Sequence, residues 1–136
     1  MTATVRPFQP PPPLPAASIR AEEYREAALE AVALIRFAEM ATVAALRVPW
    51  PRLRHPSRGL RRESLARQVA IYLPRLIWGF DAMDLSRSTG RERTTVRHAC
   101  DCIARAREGA SFDLQLAILE QAIRRDVEKT LGPICR

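Results

Sequence analysis

Residues that break helices are gathered at a few places in this chain, and that punctuation constrains the fold more than any other feature. Of eleven prolines, six lie before residue 16, and the others fall at 49, 51, 56, 74 and 133; the five glycines stand at 59, 79, 90, 109 and 132. Neither residue fits a helix interior cheaply, so each cluster marks a boundary. Hydrophobic residues make up 47% of the 136 positions, enough for one compact core.

The segments between the breaks read as helices. Residues 1–19 form a proline-rich tail that is expected to be disordered, with the Pro10–Pro13 run favouring a polyproline conformation. It serves either as a loose extension or as a docking peptide. Residues 20–48 form an accessory helix, helical over 21–47, with Glu22, Glu23 and Glu26 near the positive end of its dipole. Its apolar residues, among them Leu29, Leu34, Ile35, Phe37, Met40 and Val43, do not form one narrow stripe. It is therefore expected to cover the C-terminal helices or to pair with another copy in a homo-oligomer. Residues 49–62 form a basic connector carrying Arg52, Arg54, Arg58, Arg61 and Arg62, either a solvated linker or, as favoured because it leads straight into the other basic elements, a set of phosphate contacts.

Residues 63–136 form the main domain. Within 63–79, Leu65, Val69, Tyr72, Leu73 and Leu76 recur at three- and four-residue spacing, and Pro74 should kink the helix or start a new turn. Residues 81–90 suit a short helix closing on Gly90. A longer helix over 91–107 would bury Val96, Ala99, Cys100 and Ile103 and present Arg91, Arg93, Thr94, Arg97, Asp101 and Arg105. A last helix over 111–131 has Ser111 as its cap and Leu114, Ala117, Ile118, Ala122 and Val127 as its apolar face. A short helix, a tight turn and a helix with cationic and polar residues at its start make a helix-turn-helix. The expected class is all-α: a compact helical domain containing a helix-turn-helix, preceded by the separate N-terminal helix and the tail.

Charge is unevenly distributed. The net charge is +7, yet residues 47–107 hold fourteen arginines against five acidic residues, while both flanks are slightly acidic. That concentration points to a polyanionic partner. Arginine adds a planar fork of donors that suits phosphate and guanine.

Other chemistry is poorly supported. There is no phosphate-binding glycine loop, no nucleophile motif, and no His, Cys, Asp and Glu cluster at metal-ligand spacing. No enzymatic activity, cofactor or metal is expected. Cys100, Cys102 and Cys135 form no paired motif and read as small apolar residues. Residues 27–48 are apolar enough to suggest a membrane span, but Glu30, Arg36 and Glu39 interrupt them at helical spacing. No span and no signal peptide are expected, which implies a cytoplasmic, nucleoid-associated location.

Two blocks then sharpen the reading. The run A-R-Q-V-A-I-Y-L at Ala66–Leu73 and the run G-R-E-R-T-T-V-R-H-A at Gly90–Ala99 resemble the C-terminal DNA-binding domain (domain IV) of the bacterial replication initiator DnaA. That family shows A-R-Q-x-A-x-Y-L followed, across a helix-turn-helix, by G-G-R-D-H-T-T-V-x-H-A. The resemblance covers roughly residues 60–131 and keeps the separation of the blocks to within one residue. It implies that Arg67 reaches into a minor groove. It implies that Thr94 and Thr95 meet phosphate and a thymine methyl in the major groove, with Arg91 as the basic residue ahead of that helix. His98 matches a family histidine whose role is either packing or base contact. Glu92-Arg93 stands where the family has Asp-His, and Arg97 where it has an apolar or variable residue. Those departures imply retained DNA affinity with altered sequence preference. The family's ATP-binding and oligomerising domains have no counterpart in this sequence.

The function expected is a regulator that binds double-stranded DNA at initiator-box-like sites. Its site residues are Arg61, Arg62, Arg67, Arg91, Glu92, Arg93, Thr94, Thr95, Arg97 and His98. The alternative is a protein-interaction module that regulates initiation by binding the initiator or its inactivating factor, using the helix at 20–48 and the tail.

Overall fold

The computed structural model describes Phe8, residues 19–55 and residues 59–132. Six helices follow one another: α1 (Ile19–Leu46), α2 (Trp50–Arg54), α3 (Arg61–Trp78), α4 (Ala82–Thr89), α5 (Arg93–Ala106) and α6 (Ala110–Leu131). Among the described residues there is no strand, so the all-α class holds. The expectations for the proline-rich tail (Phe8 and Ile19 apart), for Arg58 and for Cys135 lie outside the described residues.

Helix α3 is the central strut. It packs against α1 on one side and α5 on the other, while α6 lies on α1 and α4 on α5. The core joins Leu34, Ile35 and Ala38 of α1 to Val69 and Leu73 of α3, Leu85 of α4, Val96 and Ile103 of α5, and Leu116 and Ile123 of α6. Each leucine, isoleucine and valine among them stabilises the fold by about 1.5–3 kcal/mol on leaving water. Helix α1 thus shares the core of the C-terminal helices, and of its two expected roles it covers them. Its packing draws in Glu39 and Thr42 as well, and leaves Leu29 and Met40 exposed. Thr42 offsets its burial by donating from Oγ1 to the Ala38 carbonyl at 2.7 Å.

Several boundaries differ from the sequence expectation. The connector is not wholly irregular, because α2 forms within it. Pro51 sits in the first turn of α2, where its fixed φ fits and its missing N–H is not needed. Helix α3 starts at Arg61, so Arg61 and Arg62 belong to its first turn. Its start is fixed by Glu63, whose carboxylate accepts from the Leu60 amide at 3.0 Å. The helix also continues through Pro74, which is buried, rather than ending or restarting there. Helix α6 is capped at Gly109, and Ser111 lies exposed inside it.

The apolar face of α6 is rotated from the expected one. Leu116, Ile123 and Val127 enter the core, while Leu114 and Ile118 are about 60% exposed (62% and 60%). Leucine, alanine and isoleucine surround the first half of this helix, so its own pattern does not select a side. Contact with α1 does.

Candidate nucleic-acid interface

The unit formed by α4, the turn and α5 is built by local hydrogen bonds. Asp81 caps α4 by accepting from the Asp84 amide at 2.8 Å, and Asp84 accepts in return from the Asp81 amide at 3.3 Å. Gly90 ends α4 at φ +81°, a left-handed conformation that a side chain would resist, and its amide donates to the Ser86 carbonyl at 3.1 Å. Ser86 Oγ donates to the Arg91 carbonyl at 2.5 Å, and Thr89 Oγ1 to the Leu85 carbonyl at 2.7 Å. The turn is Gly90–Glu92, and α5 starts at Arg93 rather than at 91.

Helix α5 is strongly two-sided. Val96, Ala99 and Ile103 are buried and fix its roll, with Cys100 half-buried behind them. Glu92, Arg93, Thr94, Thr95, Arg97 and His98 are all exposed. Both threonines therefore stand at the surface, in the first turn of α5 at the positive end of the helix dipole. Glu92 is the residue before the helix and caps nothing with its side chain. His98 Nε2 lies 3.3 Å from Cys102 Sγ, a contact along the helix surface.

A groove of about 670 Å³ runs between α3 and the turn leading into α5. Arg61, Ser64, Arg67 and Gln68 line it from α3; Arg91, Thr95 and His98 line it from the other side. Residues separated by some thirty positions thus meet across one concavity. Arg62, Arg93, Thr94 and Arg97 are exposed but outside this lining. Burial lowers the Arg67 pKa from its ordinary value, the Arg91 and Arg52 charges push it the same way, and Glu63 opposes them. The guanidinium stays protonated, but the crowding of cations makes the groove attractive to an anion.

Not every arginine of the basic segment faces outward. Arg52 pairs with Glu63, donating from Nη2 at 3.0 Å and from Nε at 3.1 Å. That pairing and the Leu60 amide hold the Glu63 carboxyl below its usual range, against the cost of burial. Arg54 pairs with Glu39 at 2.6 Å, and Arg36 reaches the same oxygen at 2.8 Å. Burial pushes the Glu39 carboxyl up to about 7, against the pull of Arg36. Arg107 pairs with Asp113 at 2.6 Å and donates to the Tyr72 hydroxyl at 3.1 Å, tying the start of α6 to α3. The expectation that the connector arginines contact phosphate is therefore corrected for Arg52 and Arg54, whose guanidinium groups already face internal carboxylates. By contrast, Arg61, Arg62, Arg93 and Arg97 make no ion pair or hydrogen bond among the described residues.

Sequence reading missed Ser64 and Gln68 as groove residues and Glu39 and Glu63 as the partners that draw arginines inward. Two signals were present. Glu39 lies four residues from both Ile35 and Val43, which places a carboxylate on the buried side of α1. Glu63 is the third residue of α3, directly after Arg61 and Arg62.

No protein-family model, curated protein or solved structure matches the chain. Among the described residues, no three His, Cys, Asp or Glu side chains are grouped to hold a metal ion. No described helix is long and apolar enough to cross a membrane.

Proposed function

We propose that this protein binds double-stranded DNA, with α5 entering the major groove and Arg67 of α3 approaching the adjacent minor groove. The observation that carries this reading is the groove that gathers Arg61, Arg67, Arg91, Thr95 and His98 beside an exposed Arg93, Thr94 and Arg97. A row of guanidinium groups next to the start of a helix matches phosphates flanking a DNA groove. The two sequence blocks that resemble domain IV of the DnaA initiator contribute to the same surface, through Arg67, Arg91, Thr95 and His98. The natural targets are initiator-box-like sites, at the origin or at promoters, occupied in competition or together with the initiator. Arg93, where the family has histidine, favours guanine or phosphate and relaxes the sequence preference.

The test is duplex binding with and without an initiator box, at several salt concentrations. Binding should weaken steeply with salt, by a slope of about −0.9 per phosphate neutralised. Arg67→Ala and Thr95→Ala should each lose box preference, by about 1–3 kcal/mol where a base contact is removed. Binding that is absent, or insensitive to salt, rejects the reading.

A second reading has support elsewhere on the molecule. Ile118 is exposed and lines an apolar groove of about 460 Å³ with Ala45 and Leu46 of α1 and Phe112 and Leu119 of α6. This favours a protein-interaction role, with the initiator or its inactivating factor as partner. A pull-down with Ile118→Glu against each factor separates the two readings.

A further inference from the structure

Helix α2 and the α4–α5 turn hold each other by hydrogen bonds that run both ways. From α2, Arg54 Nη1 donates to the carbonyls of Ser88 and Thr89, each at 3.3 Å. From the turn, Arg91 Nη2 donates back to the His55 carbonyl at 2.9 Å and the Leu53 carbonyl at 3.4 Å. Arg54 is itself fixed: its Nη2 meets Glu39 of α1 at 2.6 Å, and its guanidinium lies 5.6 Å from the centre of the Trp50 ring. Ser88 and Thr89 are the last residues of α4, where carbonyls lack helical partners and carry the negative end of the dipole. Only Gly90, Arg91 and Glu92 separate them from α5, so wherever the end of α4 is held, the start of α5 follows.

We propose that Arg54 is a positioning residue for the DNA interface. It touches no DNA; it anchors the end of α4 to α1 and α2, and so sets where Thr94 and Thr95 stand relative to Arg61 and Arg67. The recognition role rests on the DNA-binding reading above, while the anchoring does not. The guanidinium plane is essential, because one fork must reach a carboxylate and two carbonyls at once. A lysine ammonium supplies the charge without that fork.

The experiment compares wild type, Arg54→Lys and Arg54→Met by amide hydrogen exchange and by duplex binding across salt. Exchange at Gly90 and Arg91, whose amides donate to the Ser86 carbonyl and the Thr89 hydroxyl, should quicken about tenfold in both variants, as expected from losing a hydrogen bond to a charged group, while α3 and α6 keep their protection. Box preference should fall by a similar factor in both, with the salt slope unchanged. A salt slope reduced in Arg54→Met and restored in Arg54→Lys would make Arg54 a phosphate contact and overturn the proposal. Unaltered exchange at the turn, or loss of protection throughout α3 and α6, would overturn it as well. A wild type that binds no duplex removes the DNA reading and the recognition role with it; the exchange experiment then judges the anchor alone.

Discussion

Two sets of arginines from the same basic segment behave in opposite ways. Arg52 and Arg54 of the connector face Glu63 and Glu39 and brace α2 against α1 and α3. Arg61, Arg62, Arg93 and Arg97 are exposed and have no internal partner among the described residues. Each arginine of either set adds the same unit to the formal charge of the basic segment. They differ because a carboxylate from a distant stretch folds against one set and not the other. Local charge density therefore overstates the cation available to a ligand, and the correction comes from the tertiary partners. An ion pair among buried groups also fixes geometry rather than simply adding stability, since desolvation offsets its attraction.

Substitutions can break or sharpen this contrast. The largest effect belongs to the braced side. Ile35 is fully enclosed where α1 meets the other helices, so Ile35→Ala should cost roughly 3–4 kcal/mol in denaturant unfolding. A cost below 1 kcal/mol would show that α1 is only loosely attached. The pH dependence comes next. The Glu39 pKa is raised to about 7 from its ordinary 4.5, so the folded state holds a proton that the unfolded state has released. The Glu39 contribution is then fully present below pH 4.5 and is lost as pH rises through 7, amounting to about 2 kcal/mol between pH 5 and 8. Glu39→Gln should flatten that slope; an unchanged slope would mean another group titrates. Gly59→Ala probes the same brace more gently. At φ +66° its Cβ would strike Glu63 Oε1, and the strain should amount to about 1–2 kcal/mol in a thermal melt.

The smallest stability effect should come from the exposed set, where the functional effect is clear. Arg93→Ala and Arg97→Ala should each change unfolding free energy by no more than about 0.5 kcal/mol. Each should lower the magnitude of the salt slope for duplex binding by about 0.9 if it contacts phosphate. If either variant unfolds readily yet keeps the full salt slope, the division between bracing and exposed arginines fails.

Much of the fold was legible because it depends on local rules. Proline and glycine positions delimited the helices, and the three- and four-residue spacing of Val96, Ala99 and Ile103 set which side of α5 is buried. Gly90 marked the turn because few other residues adopt its conformation. The candidate site was legible in part, since Arg61, Arg67, Arg91, Thr95 and His98 were singled out and do line one groove. Helix α6 was less readable, because apolar residues on several sides leave its orientation to the neighbour it packs against. Ser64 and Gln68 are ordinary helix residues until α5 is laid across from them.

The sequence by itself determined the five longer helices, their order, the turn at Gly90 and the exposed polar side of α5, all of which follow from backbone preference and periodicity over a few residues. Only the tertiary structure decided that α1 belongs to the core, which face of α6 it covers, and which arginines remain free. Those outcomes depend on Glu39 meeting Arg54 and Glu63 meeting Arg52 across turns of the chain, and pairing between separated residues leaves no periodic trace along either one.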